Sequence, residues 1–341
     1  MSAGMRTAAA PRCPFCGREG LPLYSGLRDR LFSAPGIWSH RRCPDAGCGM
    51  IWLDPMPLPD DIHLAYASYY THAERVRGDT MLERLFAMAK RGYLANHFGY
   101  SAGPGERIAG LLPWIYPGRP AELDFSVMWL EKRGRGRLLD VGAGSGWLVA
   151  HMNTLGWRAE GLDFDTQVVA AARSRGLVMH AGGLSEQRFA DAAFDAVTMS
   201  HLIEHVHDPV AWLAEAHRIL KPGGRLALAT PNTRSYAHRK FGEHWFALDP
   251  PRHLLLFNQA ALAKALGRAG FASARIFTSV RDANGSFMGG RAIRREGRFD
   301  MVGAHPAGLK AWGRAMQVVE LTVKLVDPDC GEDLVAIAEK S

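Results

Sequence analysis

The sequence predicts an α/β fold, a doubly wound and mostly parallel seven-stranded sheet preceded by a small cysteine-rich module. Three observations carry this expectation. After Glu122, short apolar strands alternate with helix-like stretches. A glycine-rich turn follows the first of those strands directly, and four cysteines stand in two close pairs before residue 60. The 341 residues are 47% hydrophobic and 22% charged, an ordinary globular balance that suits one large domain and a small one.

The N-terminal segment, residues 1–60, is rich in Cys, Pro and Gly and has only short apolar stretches, so a constraint other than a hydrophobic core is expected to hold it. Cys13-Pro-Phe-Cys16-Gly17 and Cys43-Pro-Asp-Ala-Gly-Cys48-Gly49 each place two thiolates on a tight loop. Four thiolates can close a tetrahedral zinc site with bonds of about 2.3 Å, which makes this a zinc-ribbon-like module whose Zn2+ is structural, because no coordination position stays open. The second pair has a longer spacer than the usual two residues. The fifth cysteine, Cys330, reads as a small buried hydrophobe.

Residues 61–121 form a helical connector or lid. Helical character begins near Asp60 and runs through Tyr66, Tyr69 and Tyr70, and an amphipathic helix is expected over Met81–His97. Gly103-Pro104-Gly105 and Pro117-Gly118-Arg119-Pro120 are breaks. Between them, Ile108 to Tyr116 contains Trp114 and either packs on the core, the simpler reading, or covers the mouth of a site.

From residue 122 to 341 the strands are expected at 137–141, 158–163, 177–180, 194–200, 225–230, 274–280 and 333–339, with helices between them. Lys221-Pro222-Gly223-Gly224 should stop the helix that starts at Asp208. An insertion at about 281–330 separates the last two strands, a Gly-rich basic segment followed by a helix over about 309–326.

The turn Leu138-Leu-Asp140-Val-Gly142-Ala143-Gly144-Ser-Gly146 ends a strand in an acid and opens a helix with glycines, which let a ligand approach backbone N–H groups closely. About 20 residues on, the next strand ends at Asp163, where a carboxylate can accept both hydroxyls of a ribose. The nicotinamide fingerprint G-x-G-x-x-G would need glycine at 147, which is Trp147.

With its G-x-G-x-G spacing and Asp140 on the strand, the turn resembles that of class I S-adenosylmethionine-dependent methyltransferases. That resemblance covers about residues 122–341 and implies a Rossmann-like methyltransferase fold closed by a strand hairpin. It implies that Asp140, Gly142, Ala143 and Gly144 line the methionine part of S-adenosylmethionine, that Gly146 lets helix and strand pack closely, that Asp163 holds the ribose and that Phe164 lies along the adenine. Family members often carry an acid near the adenine after the third strand; Gly182-Gly183-Leu184 has none, which leaves the backbone around Leu184 for that contact. Ser200 and His201 sit at the carboxyl end of the fourth strand.

His201-Leu-Ile-Glu204-His205 follows that strand and also spells H-x-x-E-H, a metallopeptidase zinc pattern. In such a peptidase the motif lies within a helix, whereas here it follows a strand. Within methyltransferases it resembles a bacterial group that modifies small molecules, quinone precursors, lipids or sugars, as does His244-Trp245 followed by Asp249-Pro-Pro-Arg252-His253. His253 is the first candidate base, with His201 and His205 behind it; Trp245 is expected over the methyl group and Glu204 beside a histidine. A zinc module precedes the methyltransferase domain in some sugar C-methyltransferases and in one kind of ribosomal-RNA methyltransferase.

The expected function is methyl transfer from S-adenosylmethionine to a small-molecule, glycan or lipid-intermediate acceptor. The alternatives are an RNA methyltransferase that grips RNA with the zinc module, and a zinc metallohydrolase at His201, Glu204 and His205. The charge of +7 is scattered, and no aromatic-and-basic RNA signature is present, which speaks against nucleic acid. No apolar run is long enough for a membrane span, and no secretory leader is legible, so a cytoplasmic location is expected. The oligomeric state is not encoded in any motif.

Overall fold

The computed structural model describes residues 5–66, 80–132 and 136–341; Tyr69 and Tyr70 lie outside them. Strands are numbered along the chain as β1 (Leu21–Leu27), β2 (Trp38–Arg42), β3 (Ile51–Leu53), β4 (Arg137–Val141), β5 (Arg158–Asp163), β6 (Met179–Ala181), β7 (Phe194–Ser200), β8 (Leu220–Pro231), β9 (Leu255–Leu256), β10 (Ala274–Ser279) and β11 (Asp333–Glu339). Two-residue strands at Thr7–Ala8 and Met56–Pro57 pair with each other.

Seven strands form one sheet in the order β10-β11-β8-β7-β4-β5-β6. β4 runs parallel to β5 and β7, and β5 parallel to β6. β11 runs antiparallel to β8, because Gly223 bonds Lys340 while Asn232 bonds Glu332. This is the doubly wound, mostly parallel Rossmann-like sheet that the alternation predicts. Covered on both faces, β4 and β7 bury Leu138, Leu139, Val141, Val197 and Met199, each worth roughly 1.5–3 kcal/mol when removed from water. The helix after Asp208 ends at Ile219 and β8 starts at Leu220, so the Pro-Gly-Gly segment falls inside the strand rather than before it.

The chain divides into two compact units. One comprises His72–Ser200, Ala214–Leu228 and Ala336–Ser341. Its first helix, Met81–Phe98, starts at a Thr80–Glu83 capping box, and Gly92 lies so close to the helix Pro104–Ala109 that an added Cβ would meet the Glu106 carbonyl oxygen at 1.6 Å. The segment read as packing on the core is largely solvent-facing: Ile108, Leu111 and Ile115 are exposed, and Trp114 leans only partly on Tyr93 and His97. Two short turns of helix leave too little length to turn all these apolar side chains inward.

The other unit comprises Met1–Thr71, His201–Leu213 and Ala229–Val335. Here β9, β3, β2 and β1 make a four-stranded sheet, with Trp52 opposite Leu255 and His40 opposite Leu53. Trp38, Met50, Trp52 and Leu53 are fully buried, so the cysteine-rich segment has a core as well as thiols. That core escapes a sequence reading because its apolar residues stand singly among Pro and Gly and because β9 arrives two hundred positions later. The Gly-rich basic stretch of the insertion is a helix, Ala283–Glu296, ahead of the expected one at Ala307–Val323. Its glycines serve packing: a Cβ at Gly290 would stand 2.5 Å from the Phe241 ring and one at Gly289 2.8 Å from Phe246. Cys330 is buried, as expected. Among the described residues, no helix is long and apolar enough to cross a membrane.

Candidate active site

In the first unit the register puts Asp140 beside Gly161 on β5 and Thr198 on β7. The Thr198 hydroxyl donates to Asp140 Oδ1 at 2.7 Å. Burial pushes the Asp140 carboxyl up to about 7, against that hydrogen bond, and the charge of Asp163 adds to the rise. The turn then runs through Gly142, Gly144 and Gly146, all at positive φ, where a side chain would strain the backbone. Gly146 also meets the predicted packing requirement: a Cβ there would lie 2.8 Å from Leu177.

The N–H groups of Gly142 and Ala143 bond the Leu162 carbonyl, while Asp163 accepts Gly144 N–H at 2.8 Å and Asp165 N–H at 3.0 Å. The second acid therefore also braces the turn, which spacing alone does not reveal. A cavity of about 140 Å³ opens over the turn, lined by Asp140, Gly142, Ala143, Trp147 and Ser200, with Phe125 and Met128 from the connector. Those last two were missed, since nothing in their local pattern ties them to a turn twenty residues on. Trp147 is 50% exposed and Phe164 58%. Leu184 is buried, and the carboxylate of Glu186 accepts Gly183 N–H at 2.8 Å.

These residues fit S-adenosylmethionine. A buried carboxyl with one hydroxyl partner, raised to about 7, is suited to a ligand that brings positive charge, and the exposed aromatic faces of Trp147 and Phe164 suit a planar base.

In the second unit, His201, His205 and His253 line one cavity of about 190 Å³ with Asp249, Arg281 and Glu332. The three histidines, 52 positions apart at most, are thus brought together. His201 directly follows β7 at φ 49, a costly conformation for a non-glycine residue, and its N–H bonds the Ala229 carbonyl at 2.8 Å. Its Nε2 accepts from Arg281 at 2.9 Å, and its Nδ1 lies 3.4 Å from Glu204 Oε1. Burial opposes protonation of His201, but the carboxylates of Asp333 and Glu204 outweigh it and raise its pKa. His205 goes the other way: burial, reinforced by the nearby His253, lowers it to about 4.

Glu204 is fully buried, its Oε2 accepting the Thr230 hydroxyl at 2.9 Å. Despite burial, hydrogen bonding from His201 and the surrounding imidazoles hold it down at about 2. His253 Nδ1 is 2.7 Å from the Ala247 carbonyl, which fixes Nδ1 as the donor and leaves the Nε2 lone pair toward Glu204 and Asp249, 4.0 and 3.9 Å away.

Two neighbours were not legible. Arg252 is fully buried, with Nη1 and Nη2 donating to the two oxygens of buried Asp29 at 2.8 and 2.9 Å and a further pair to Asp249, so the Asp-Pro-Pro-Arg-His stretch is anchored to the N-terminal segment. Trp245 is buried rather than facing a ligand: it stacks on His238 at 4.4 Å and donates to Glu332 at 2.8 Å.

The four thiols converge. Cys13 and Cys48 Sγ are 3.7 Å apart, Cys16 and Cys43 Sγ 3.3 Å, and all four sulfurs lie within 4.8 Å of one another. Tetrahedral zinc bonds of about 2.3 Å would separate sulfurs by about 3.8 Å, so the donor set fits the ion.

The chain is similar in sequence to known methyltransferases. A family model described as a methyltransferase domain matches residues 119–275. A ubiquinone biosynthesis O-methyltransferase of Xanthomonas oryzae is 34% identical over 170 residues, 47% of this chain and 67% of that protein. A "probable S-adenosylmethionine-dependent methyltransferase" of Mycolicibacterium smegmatis is 31% identical over 191 residues, 54% of this chain and 68% of that protein. A solved S-adenosylmethionine-dependent methyltransferase from Thermotoga maritima is 18% identical, with a TM-score of 0.45, covering 74% of this chain and 100% of that one. The chain belongs to the methyltransferase-domain family and is an S-adenosylmethionine-dependent methyltransferase.

Proposed function

We propose that the protein methylates a small-molecule acceptor, a quinone precursor, glycan or lipid intermediate, with histidine assistance. The observation that carries the reading is the 190 Å³ cavity bearing three imidazoles, one of which, His253, keeps an open lone pair. A volume of that size holds about six waters' worth of ligand, a scale suited to one ring of an acceptor. The name of the Xanthomonas relative supports a small phenolic acceptor.

When bound, S-adenosylmethionine supplies an activated methyl group on a sulfonium centre. Asp140 would hold the positive end of the methionine part, with the backbone of Gly142, Ala143 and Gly144 beside it; Asp163 would take the ribose hydroxyls, Phe164 and the backbone near Leu184 the adenine, and Ser200 would stand at the end of β7. His253 Nε2 would accept the proton of an acceptor hydroxyl as its oxygen attacks, and Asp249 and Glu204 would stabilise the imidazolium. Ala247 holds the ring in the required tautomer. His201 and His205 are the secondary candidates: the first is engaged by Arg281, and the second is a weak base at about 4. Cys13, Cys16, Cys43 and Cys48 would hold a structural zinc ion.

Titration calorimetry with S-adenosylmethionine and S-adenosylhomocysteine, on wild type and Asp163→Ala, together with a zinc assay on the same preparation, tests the cofactor assignment. Micromolar binding abolished by the substitution, with zinc present, is expected. Equal binding by the variant would remove Asp163 from the ribose role.

A further inference from the structure

The H-x-x-E-H motif is not used as a unit. His201 turns to Arg281, whereas Glu204 and His205 come together with His253 from the loop after Pro251. One donor atom from each of Glu204, His205 and His253 lies within 4.8 Å of the others. Three features distinguish this cluster from ordinary packing.

Glu204 Oε1 is buried with only the long 3.4 Å approach of His201 Nδ1, whereas its sister oxygen accepts the Thr230 hydroxyl at 2.9 Å. A buried carboxylate oxygen with one long contact gains from a further positive partner. His253 Nδ1 faces a backbone carbonyl at 2.7 Å, and His205 Nδ1 faces the Arg252 carbonyl at 3.1 Å with the Tyr66 hydroxyl at 2.9 Å. The His253 ring is thus held in the tautomer whose Nε2 carries the lone pair, and both rings make the outer-shell carbonyl contact typical of ligating histidines. Finally, the two rings meet edge to face with centroids 4.6 Å apart, close enough to converge on one point.

We propose that Glu204, His205 and His253 form a binding site for a divalent transition-metal ion. Two imidazoles and one carboxylate suit manganese, iron, cobalt or zinc better than magnesium or calcium, which prefer all-oxygen shells. Bonds of about 2.1 Å place ligand atoms about 3.4 Å apart, so the 4.0 Å between His253 Nε2 and Glu204 Oε1 has to close by roughly 0.6 Å, within reach of side-chain rotation. The remaining coordination positions would face the acceptor cavity. An acceptor hydroxyl there would be acidified by coordination, and His253 would act as ligand in that form and as base in the metal-free one. Ion binding itself does not depend on the acceptor reading.

The test is manganese binding to the purified 341-residue protein, followed through the electron paramagnetic resonance of free Mn2+. This ion is chosen because four thiolates discriminate against it. One saturable site per chain is expected, weakened at least tenfold in both Glu204→Gln and His253→Gln. Retained S-adenosylmethionine binding serves as the folding control, and should the buried Glu204 variant fail it, His253→Gln decides alone. No saturable binding, or equal binding by a folded variant, overturns the proposal. Methyl transfer measured in parallel with chelator present separates the two readings: transfer without manganese binding leaves the acceptor reading standing, and manganese binding without transfer leaves the metal site standing.

Discussion

Asp140 provides a pH-dependent signature of cofactor binding. Its carboxyl lies at about 7 because it is buried beside one hydroxyl and within the field of Asp163. For an acid raised in this way, the free protein loses stability as pH climbs from the ordinary carboxylate range through 7, and a cationic ligand that pairs with the ionised form recovers that loss. About one carboxyl in eleven is ionised at pH 6 and about three in four at pH 7.5. A ligand that requires the ionised form should therefore bind roughly eightfold more weakly at pH 6, about 1.3 kcal/mol, provided the bound pKa falls below 6. Calorimetry of S-adenosylmethionine binding across this interval should show that slope with proton release on the acidic side, and Asp140→Asn should bind weakly with no slope. A wild-type affinity independent of pH, or an Asn variant that keeps the slope, would refute the assignment of Asp140 to the positive end of the cofactor.

Replacing Arg252 by Met leaves Asp29 and Asp249 without their buried partner, and denaturant unfolding should report a loss of about 3–5 kcal/mol. Gly290→Ala should destabilise by about 1–3 kcal/mol, because the Phe241 ring has to move; a more stable variant would mean that helix propensity, not packing, governs that position. Cys43→Ser should lower the zinc content by one equivalent, read by elemental analysis, and expose residues 5–57 to limited proteolysis.

The features read correctly from sequence are local ones. Strands β4 to β7 are short segments with apolar centres between turn residues, and the glycine turn packs its requirements into nine residues, so position alone locates Asp140, Asp163 and the positive-φ glycines. His201, His205 and His253 meet because a strand end and a proline-bounded loop reach one cavity. What was hidden depends on partners distant in sequence: the Asp29–Arg252 pair, β9 completing the N-terminal sheet, and Phe125 and Met128 over the turn. The helix Ala283–Glu296 was obscured for a different reason, since glycines that normally weaken helices are used there to let Phe241 and Phe246 approach. Trp245 reads as a ligand contact only until Glu332 and His238 are seen to occupy its polar edge and its face.

The most direct test of the account is transfer of labelled methyl from S-adenosylmethionine to a panel of phenolic quinone precursors, glycosides, lipid intermediates and RNA, comparing wild type with His253→Ala. Label is expected in a small-molecule acceptor and not in RNA, with kcat lowered about 10²–10⁴-fold in the variant. Label in RNA, or full activity without the His253 imidazole, would contradict it.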